Sequence, residues 1–133
     1  MIVKKPRAHP EADLQKAIVA HLRLRGQPDV IWFHPMNNAP VSKRTAGRFK
    51  AEGVVAGVPD LCFTLSDGTS AFMELKAIGG RLSPEQKLFQ AKCERIGAPY
   101  VICNQLDNAL LIIEAWGAIK PDRAAKLAEA KLA

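Results

Sequence analysis

Residues 57–76 read GVPDLCFTLSDGTSAFMELK, and this stretch decides the fold. Two apolar runs flank a Ser-Asp-Gly turn, so the sequence predicts a pair of antiparallel strands over 60–65 and 70–76. Pro59 cannot join a strand ladder, which places Asp60 at the beginning of the first strand. The predicted hairpin therefore brings the two ends of this stretch together.

The loop of this hairpin determines which side chains share a face. A three-residue loop over 66–68 needs a left-handed residue at its last position, and Gly68 stands there. That loop places Asp60 opposite Glu74, whereas a two-residue Asp-Gly loop would place it opposite Leu75. The turn residues favour the three-residue loop.

Three ionisable side chains then meet at one end of the hairpin. Glu74 and Lys76 are two residues apart on a strand and so share the face of Asp60. An isolated Glu-x-Lys pair is more often a surface ion pair, but two neighbouring carboxylates repel each other unless a cation lies between them. Ligation by oxygen atoms alone suits Mg²⁺ or Mn²⁺ rather than zinc. The pattern therefore indicates a divalent-cation site.

Helices on either side of the hairpin bring two further candidates. The first helix is predicted over 10–25, and Glu11 shares its apolar face, so we expect this side chain to point toward the core rather than into water. An acid that only stabilises a helix N-terminus is an equally good interpretation. A capping box at Ser83 begins a helix that runs to about residue 97. Its Gln86 is expected to reach toward the site as well as to cap the helix.

The remaining pattern completes a mixed α/β order in a single domain. Two more strands and two more helices are predicted, at 30–33, 99–103, 42–53 and 107–116. We expect one domain over residues 1–133, with its core over about 10–117 and a helical tail over 118–133.

The composition fits a globular domain and excludes several classes of protein. Hydrophobic residues make up 48% and charged residues 24% of the chain, which excludes a disordered or fibrous protein. No apolar run is long enough to span a membrane, and the N-terminus has no secretory pattern. The three cysteines form no C-x-x-C pair and are interpreted as reduced, buried thiols of a cytoplasmic protein.

Positive charge is concentrated in the first part of the chain. Residues 1–50 hold ten basic and three acidic groups, and the rest hold nine and ten, so the whole net charge of +6 comes from the first fifty residues. Arg81 is interpreted as a phosphate contact or as a surface arginine. The segment VSKRTAGRFK at 41–50 is interpreted as a clamp for nucleic-acid phosphates, with a solvated helix face as the alternative. Its basic residues are Lys43, Arg44, Arg48 and Lys50.

Other polar and aromatic residues receive structural interpretations. The three histidines, His34 among them, have no common spacing and are assigned to no metal. Asn37 and Asn38 are interpreted as turn formers. The aromatic residues of the strands are expected in the core rather than as platforms for bases, and they include Trp32, Phe33, Phe63 and Phe72.

The order of these motifs resembles the VRR-NUC (virus-type replication-repair nuclease) branch of the PD-(D/E)XK nucleases. The resemblance covers roughly residues 11–105 and rests on the early helical Glu, on Gly57-Val58-Pro59-Asp60, on Glu74-Leu75-Lys76 and on GRLSPEQ at 80–86. It implies an α/β fold with a restriction-endonuclease-like core, in which helices flank a four-stranded mixed sheet.

The resemblance also implies roles for the site residues. Lys76 would position or deprotonate the attacking water and stabilise charge on the scissile phosphate, and Gln86 matches a glutamine on the helix after Glu-x-Lys. Stand-alone members of the family are commonly phage or bacterial. The implied ligands of one or two Mg²⁺ or Mn²⁺ ions are Glu11, Asp60, Glu74 and the main-chain carbonyl of Leu75.

Two hypotheses about function follow. The preferred one is a metal-dependent DNA endonuclease that hydrolyses phosphodiester bonds and selects branched DNA, such as a flap or a Holliday junction, as in DNA repair. Because the chain has little surface beyond its core, we expect a homodimer to engage such DNA. The alternative is a non-catalytic nucleic-acid-binding module whose acids are structural.

Overall fold

The computed structural model describes residues 9–36 and 40–122 of the protein. Asn37, Asn38 and the tail over 123–133 lie outside these ranges. None of the helices in the described ranges is both long and apolar enough to cross a membrane. In chain order the elements are α1 Pro10–Arg25, β1 Ile31–Phe33, α2 Lys43–Ala51, β2 Leu61–Thr64, β3 Ser70–Leu75, α3 Pro84–Ile96, β4 Tyr100–Cys103 and α4 Leu106–Ala115.

The four strands form one mixed sheet in the order β1-β2-β3-β4. β1, β2 and β3 pair antiparallel, with α2 in the connection from β1 to β2 and a short turn between β2 and β3, whereas β4 pairs parallel with β3. A parallel pair needs a crossover, and α3 supplies it. The predicted four-stranded mixed sheet with flanking helices is therefore confirmed.

The β2–β3 hairpin has the register that its turn residues predict. Leu61 pairs with Met73, which places Asp60, just before β2, opposite Glu74. Gly68 has φ 85°, the left-handed conformation that the last position of a three-residue loop requires. The predicted three-residue loop is confirmed.

The hydrophobic core lies between one face of the sheet and the helices α1 and α4. Phe63 of β2 packs edge-on against Trp116, with ring centroids 5.4 Å apart. On the other face, the ring of Phe89 from α3 packs edge-on against Phe72 of β3. The fully buried side chains at the centre of the core include Ile18, Leu61, Met73, Leu75 and Ile113.

Two predicted placements differ from the structure. Phe33 is 52% exposed because it lies on the edge strand β1, on the face opposite to the core. The core also extends past residue 117, since Ala118 and Ile119 are buried. Ile119 forms an isolated antiparallel bridge with Gly26, so the tail begins in an extended conformation rather than as a helix.

The three cysteines are free and buried, as expected. Burial raises the pKa of each thiol, and it raises that of Cys62 to about 11. Thiols of this kind stay protonated at neutral pH and are poor nucleophiles and metal ligands.

Candidate active site

Asp60 extends the sheet by one residue before the beginning of β2. Its Oδ2 accepts a hydrogen bond of 2.7 Å from the main-chain N–H of Leu75, in the place of a main-chain acceptor from the neighbouring strand. The N–H and C=O of one strand residue point to the same side, so the carbonyl of Leu75 also faces the β2 side of β3. The side chain of Asp60 is therefore fixed at the point where β3 ends.

Glu74 is the buried carboxylate of the site. The residue is only 2% exposed and is the one buried charged residue in the described ranges. Its Oε1 accepts a hydrogen bond of 2.9 Å from Gln86 Nε2 and lies 3.9 Å from Lys76 Nζ. Its Oε2 is buried and receives no N–H donor within residues 9–36 and 40–122, and the carboxyl groups of Glu74 and Asp60 share a hydrogen bond when Glu74 holds a proton. A buried oxygen of this kind is costly unless a proton or a cation satisfies it.

The surroundings of Glu74 disfavour its charged form. Burial, followed by the negative charge of Asp60, raises the pKa of Glu74 to about 8, although Lys76 opposes the rise. Without a cation, the carboxyl group therefore holds a proton at neutral pH. A positive ion beside it would favour the carboxylate.

Gln86 connects the helix α3 to the buried acid. Its main-chain N–H donates to Ser83 Oγ, while its Oε1 accepts from the main-chain N–H of Ser83 at 2.8 Å, which completes a capping box. The other end of the same amide donates to Glu74. The expected dual placement of Gln86, as a cap that also reaches the acids, is found.

Gly57 allows the loop before β2 to pass close to the first turn of α3. Its φ is 78°, and a Cβ atom built on it would lie 2.4 Å from the main-chain carbon of Glu85. Neither condition tolerates a side chain. The loop that leads into Asp60 is thereby tied to the helix that carries Gln86.

Glu11 is placed differently from the prediction. Its side chain is exposed rather than directed into the core, because α1 becomes buried only from later residues such as Ile18. Its Oε1 nevertheless accepts a hydrogen bond of 3.2 Å from the main-chain N–H of Ala77, two residues after β3 ends. Glu11 therefore lies beside the site on its solvent side.

Lys76 occupies the wall of an open depression with a volume of about 390 Å³. Its side chain is only 15% exposed and approaches Glu74. Asn104 and Asn108, from the end of β4 and from α4, line the same depression. A cation and two amides thus line a space that is open to solvent, and Lys76 is the residue that this space shares with the carboxylate cluster.

The contact of His34 with the site was missed at the level of sequence. Its Nδ1 lies 2.6 Å from the main-chain carbonyl oxygen of Asp60 and can donate to it. The signal lay in strand order, because antiparallel pairing brings the end of β1 to the beginning of β2. The spacing of the three histidines carried no such information.

The basic residues of α2 form an exposed surface of their own. Ser42 caps the helix as predicted, and no residue of α2 is buried. Arg48 pairs with Glu52 at 3.7 Å and lies over the ring of Phe49. Within the described ranges no hydrogen bond or ion pair joins the basic residues to Asp60 or Glu74; these basic residues are Lys43, Arg44, Arg48, Lys50 and the exposed Arg81.

The chemistry of the site fits a magnesium-type ion. In the described part of the chain, no three His, Cys, Asp or Glu side chains are arranged to hold a metal. Mg²⁺, however, commonly uses only one or two protein carboxylates and completes its shell with water and substrate phosphates. Asp60 and Glu74 supply two carboxylates, and the unpartnered Oε2 of Glu74 is an oxygen that such an ion would satisfy.

Comparison with known proteins agrees with this geometry. The family model of the VRR-NUC domain matches residues 9–105. A solved structure described as "VRR_NUC domain protein" is similar with a TM-score of 0.65 and 20% identity, over 84% of this chain and 90% of that one. Another, described as "VRR_NUC domain", has a TM-score of 0.56 and 19% identity, over 80% of this chain and 97% of that one.

At such identities the structural matches establish the fold alone, and no curated protein matches the chain. The family model spans most of the chain and includes every element from α1 to β4. VRR-NUC domains are generally nuclease domains. With the paired carboxylates and lysine at the end of β3, the match leads to one conclusion: the chain belongs to the VRR-NUC domain family.

Proposed function

We propose that the protein is a metal-dependent DNA endonuclease that hydrolyses phosphodiester bonds at the Asp60–Glu74–Lys76 cluster. The observation that carries the proposal is the environment of Glu74. A buried acid with one unpartnered oxygen, beside a second carboxylate and a lysine, is an unfavourable arrangement for a purely structural role. Such an arrangement gains stability when a divalent cation binds.

Each residue has a role that follows from its position. Asp60, Glu74 and the carbonyl of Leu75 would hold one or two Mg²⁺ or Mn²⁺ ions, with Glu11 as the ligand on the solvent side. A bound divalent ion would supply charge for the phosphate and the leaving oxygen and would lower the pKa of water.

The remaining two residues act around the acids. Lys76, at the wall of the open depression, positions the attacking water and offsets negative charge on the phosphate. Gln86 holds one oxygen of Glu74 and leaves the other for the ion.

The proposed substrate is DNA, and branched DNA such as a flap or a four-way junction is the preferred form. The exposed cations of α2 and Arg81 support a DNA substrate, because exposed basic side chains bind phosphates without regard to sequence. The predicted homodimer finds no support in the described single chain, and the proposed chemistry requires only one chain.

The test is cleavage of plasmid, flap and four-way-junction DNA with Mg²⁺ or Mn²⁺ by the wild type, Lys76→Ala and Asp60→Ala. We expect cleavage by the wild type and a loss of about a hundredfold or more in each variant. Thermal unfolding of both variants is the control for folding. Wild type that binds all three DNAs but cleaves none would favour the alternative, a non-catalytic nucleic-acid-binding module. Normal cleavage by both variants would show that the residues are assigned wrongly.

A further inference from the structure

A second open groove lies between α1 and the edge strand β1. Its volume is about 480 Å³, and it lies on the face of the sheet that α1 covers. Its lining has no acid and combines two cations and an aromatic ring with the small apolar residues of α1 between them; it includes Lys16, Val19, Ala20, Arg23, Trp32 and His34.

The charges of this groove are not neutralised by the protein. Lys16 and Arg23 are both exposed, and neither forms an ion pair or a hydrogen bond within residues 9–36 and 40–122. They are seven residues apart on α1, which is two helical turns or about 10 Å. Two cations at this spacing along a groove without acids suit a polyanion that lies along the helix.

Trp32 gives the groove an aromatic wall. It lies on the edge strand and is only partly buried, so part of its ring lines the groove. Its indole N–H has no hydrogen-bond partner among the residues described. An aromatic ring next to unpaired cations is the combination that single-stranded nucleic acids use, because bases stack while phosphates pair with the cations.

The groove begins at the same end of the sheet as the candidate active site. Gln15 follows Glu11 by one helical turn, so the same helix face runs from the acid beside the site into the groove. On the other wall, His34 bonds the main-chain carbonyl of Asp60. The acids lie on the face of the sheet that α3 covers, whereas the groove lies on the face that α1 covers. A strand whose phosphate lies at Asp60 therefore enters the groove by passing around this end of the sheet.

We propose that the α1–β1 groove binds an unpaired nucleic-acid strand adjacent to the scissile phosphate. Lys16 and Arg23 contact its phosphates, and a base stacks on Trp32. The inference deepens the proposed nuclease function and rests on it for the position of the scissile phosphate. It explains how one small domain distinguishes a flap or a junction arm from continuous duplex, because a paired base cannot reach the ring.

The test measures binding without cleavage. Fluorescence anisotropy in a chelator gives the affinity for a short single-stranded oligonucleotide and for a blunt duplex. The groove variant is Lys16→Ala/Arg23→Ala. The matched control is Lys87→Ala/Lys92→Ala, which removes the same charge from exposed positions on α3. We expect the groove variant to lose about tenfold in single-strand affinity and about 1.4 in the slope of log affinity against log salt, while the control loses neither.

The stacking role is tested separately with two substitutions of similar size. Trp32→Leu is expected to weaken single-strand binding about tenfold, whereas Trp32→Phe retains most of it. Thermal unfolding of both variants detects a fold defect. If the two differ in affinity while their unfolding is the same, the ring itself is responsible; equal affinities would overturn the stacking role.

The results separate this inference from the proposed function. Equal losses in the groove variant and its control, or a loss confined to the duplex, would overturn the groove. A wild type that never cleaves with Mg²⁺ or Mn²⁺, but whose single-strand binding depends on Lys16 and Arg23, would remove the nuclease proposal and leave the groove as a binding site. A groove variant that cleaves DNA at the wild-type rate and binds single strands with wild-type affinity would overturn the groove and leave the nuclease proposal standing.

Discussion

At the scale of single residues, the amide of Gln86 is the group whose chemistry matters most to the acids. Its oxygen accepts from Ser83 and its nitrogen donates to Glu74, so one side chain caps α3 and orients the buried carboxyl. A carboxylate in the same place could perform the first task but not the second. The two roles can therefore be separated by substitution.

Gln86→Glu is expected to keep the cap and to damage the site. The new carboxylate still accepts from the N–H of Ser83, but it repels Glu74 instead of donating to it. We expect cleavage to fall about 10- to 100-fold, the usual cost of losing a group that orients a metal ligand. Ser83→Ala is the matched control: it costs about 1 kcal/mol of stability through the cap and leaves cleavage nearly unchanged. Equal cleavage by wild type and Gln86→Glu would contradict the orienting role.

At the scale of elements, two glycines with similar backbone angles have different surroundings. Gly57 has φ 78° and lies against the main chain at the start of α3, whereas Gly68 has φ 85° and has no atom within 4 Å of an added Cβ. The first joins the loop before β2 to α3, and the second only closes the hairpin. Alanine at each position separates backbone strain from displacement of the site.

Gly68→Ala is expected to lose about 1–2 kcal/mol of unfolding free energy, the cost of left-handed alanine, and to cleave normally at a temperature where it is folded. Gly57→Ala must in addition move main chain, so we expect a larger loss of stability and a clear loss of cleavage. Denaturant unfolding and cleavage assays at the same temperature give both quantities. Similar behaviour of the two variants would show that the approach of Gly57 to Glu85 does not position the site.

The helix α2 presents cations that no other helix or strand covers. For duplex DNA, each lost phosphate contact lowers the salt slope of binding by about 0.9. Lys43→Ala/Arg44→Ala is therefore expected to lower the slope for a duplex, with the Lys87→Ala/Lys92→Ala protein as the comparison. If the α2 variant has the same salt dependence as the wild type, these cations do not contact DNA and α2 is a solvated helix face, which is the alternative interpretation of its sequence.

At the scale of the whole molecule, what could be predicted was what neighbouring residues determine. The capping box of α3 and the left-handed Gly68 are local signals: the first locates the start of α3, and the second was sufficient to align Asp60 with Glu74. The exposure of Glu11 depends on where α1 lies along the sheet, which no local pattern encodes. The bond from His34 to Asp60 likewise depends on the pairing of strands far apart in sequence.

The α1–β1 groove belongs to the same unpredicted class. Trp32 lies on the core face of β1, opposite the buried Phe63. Part of its ring is nevertheless open to solvent because β1 is at the edge of the sheet. Core membership was therefore predicted well for central strands and poorly for the edge strand, where Phe33 is exposed. Properties that depend on which strand is outermost need the assembled sheet.

The buried acid also links the stability of the whole chain to pH and to metal. In the folded state the pKa of Glu74 is about 8, against an ordinary value of 4.5. Between these values the folded protein holds a proton that the unfolded chain has released. The contribution of Glu74 is therefore fully present below about pH 4.5 and is lost as pH rises toward 8.

In a chelator, the unfolding free energy of the wild type is expected to fall from pH 5 to pH 8 by roughly 3 kcal/mol relative to Glu74→Gln, which has no proton to lose there. Mn²⁺ should reverse the loss at pH 8 and have a smaller effect at pH 6, because the ion must displace this proton. Glu74→Gln should respond little to Mn²⁺ at either pH. Glu94→Gln, at an exposed position on α3, is the control and should behave as the wild type. Denaturant unfolding at each pH, with and without Mn²⁺, measures the unfolding free energy of all three proteins. If Glu74→Gln and the wild type follow parallel pH curves and gain equally from Mn²⁺, Glu74 is neither the buried proton carrier nor a metal ligand.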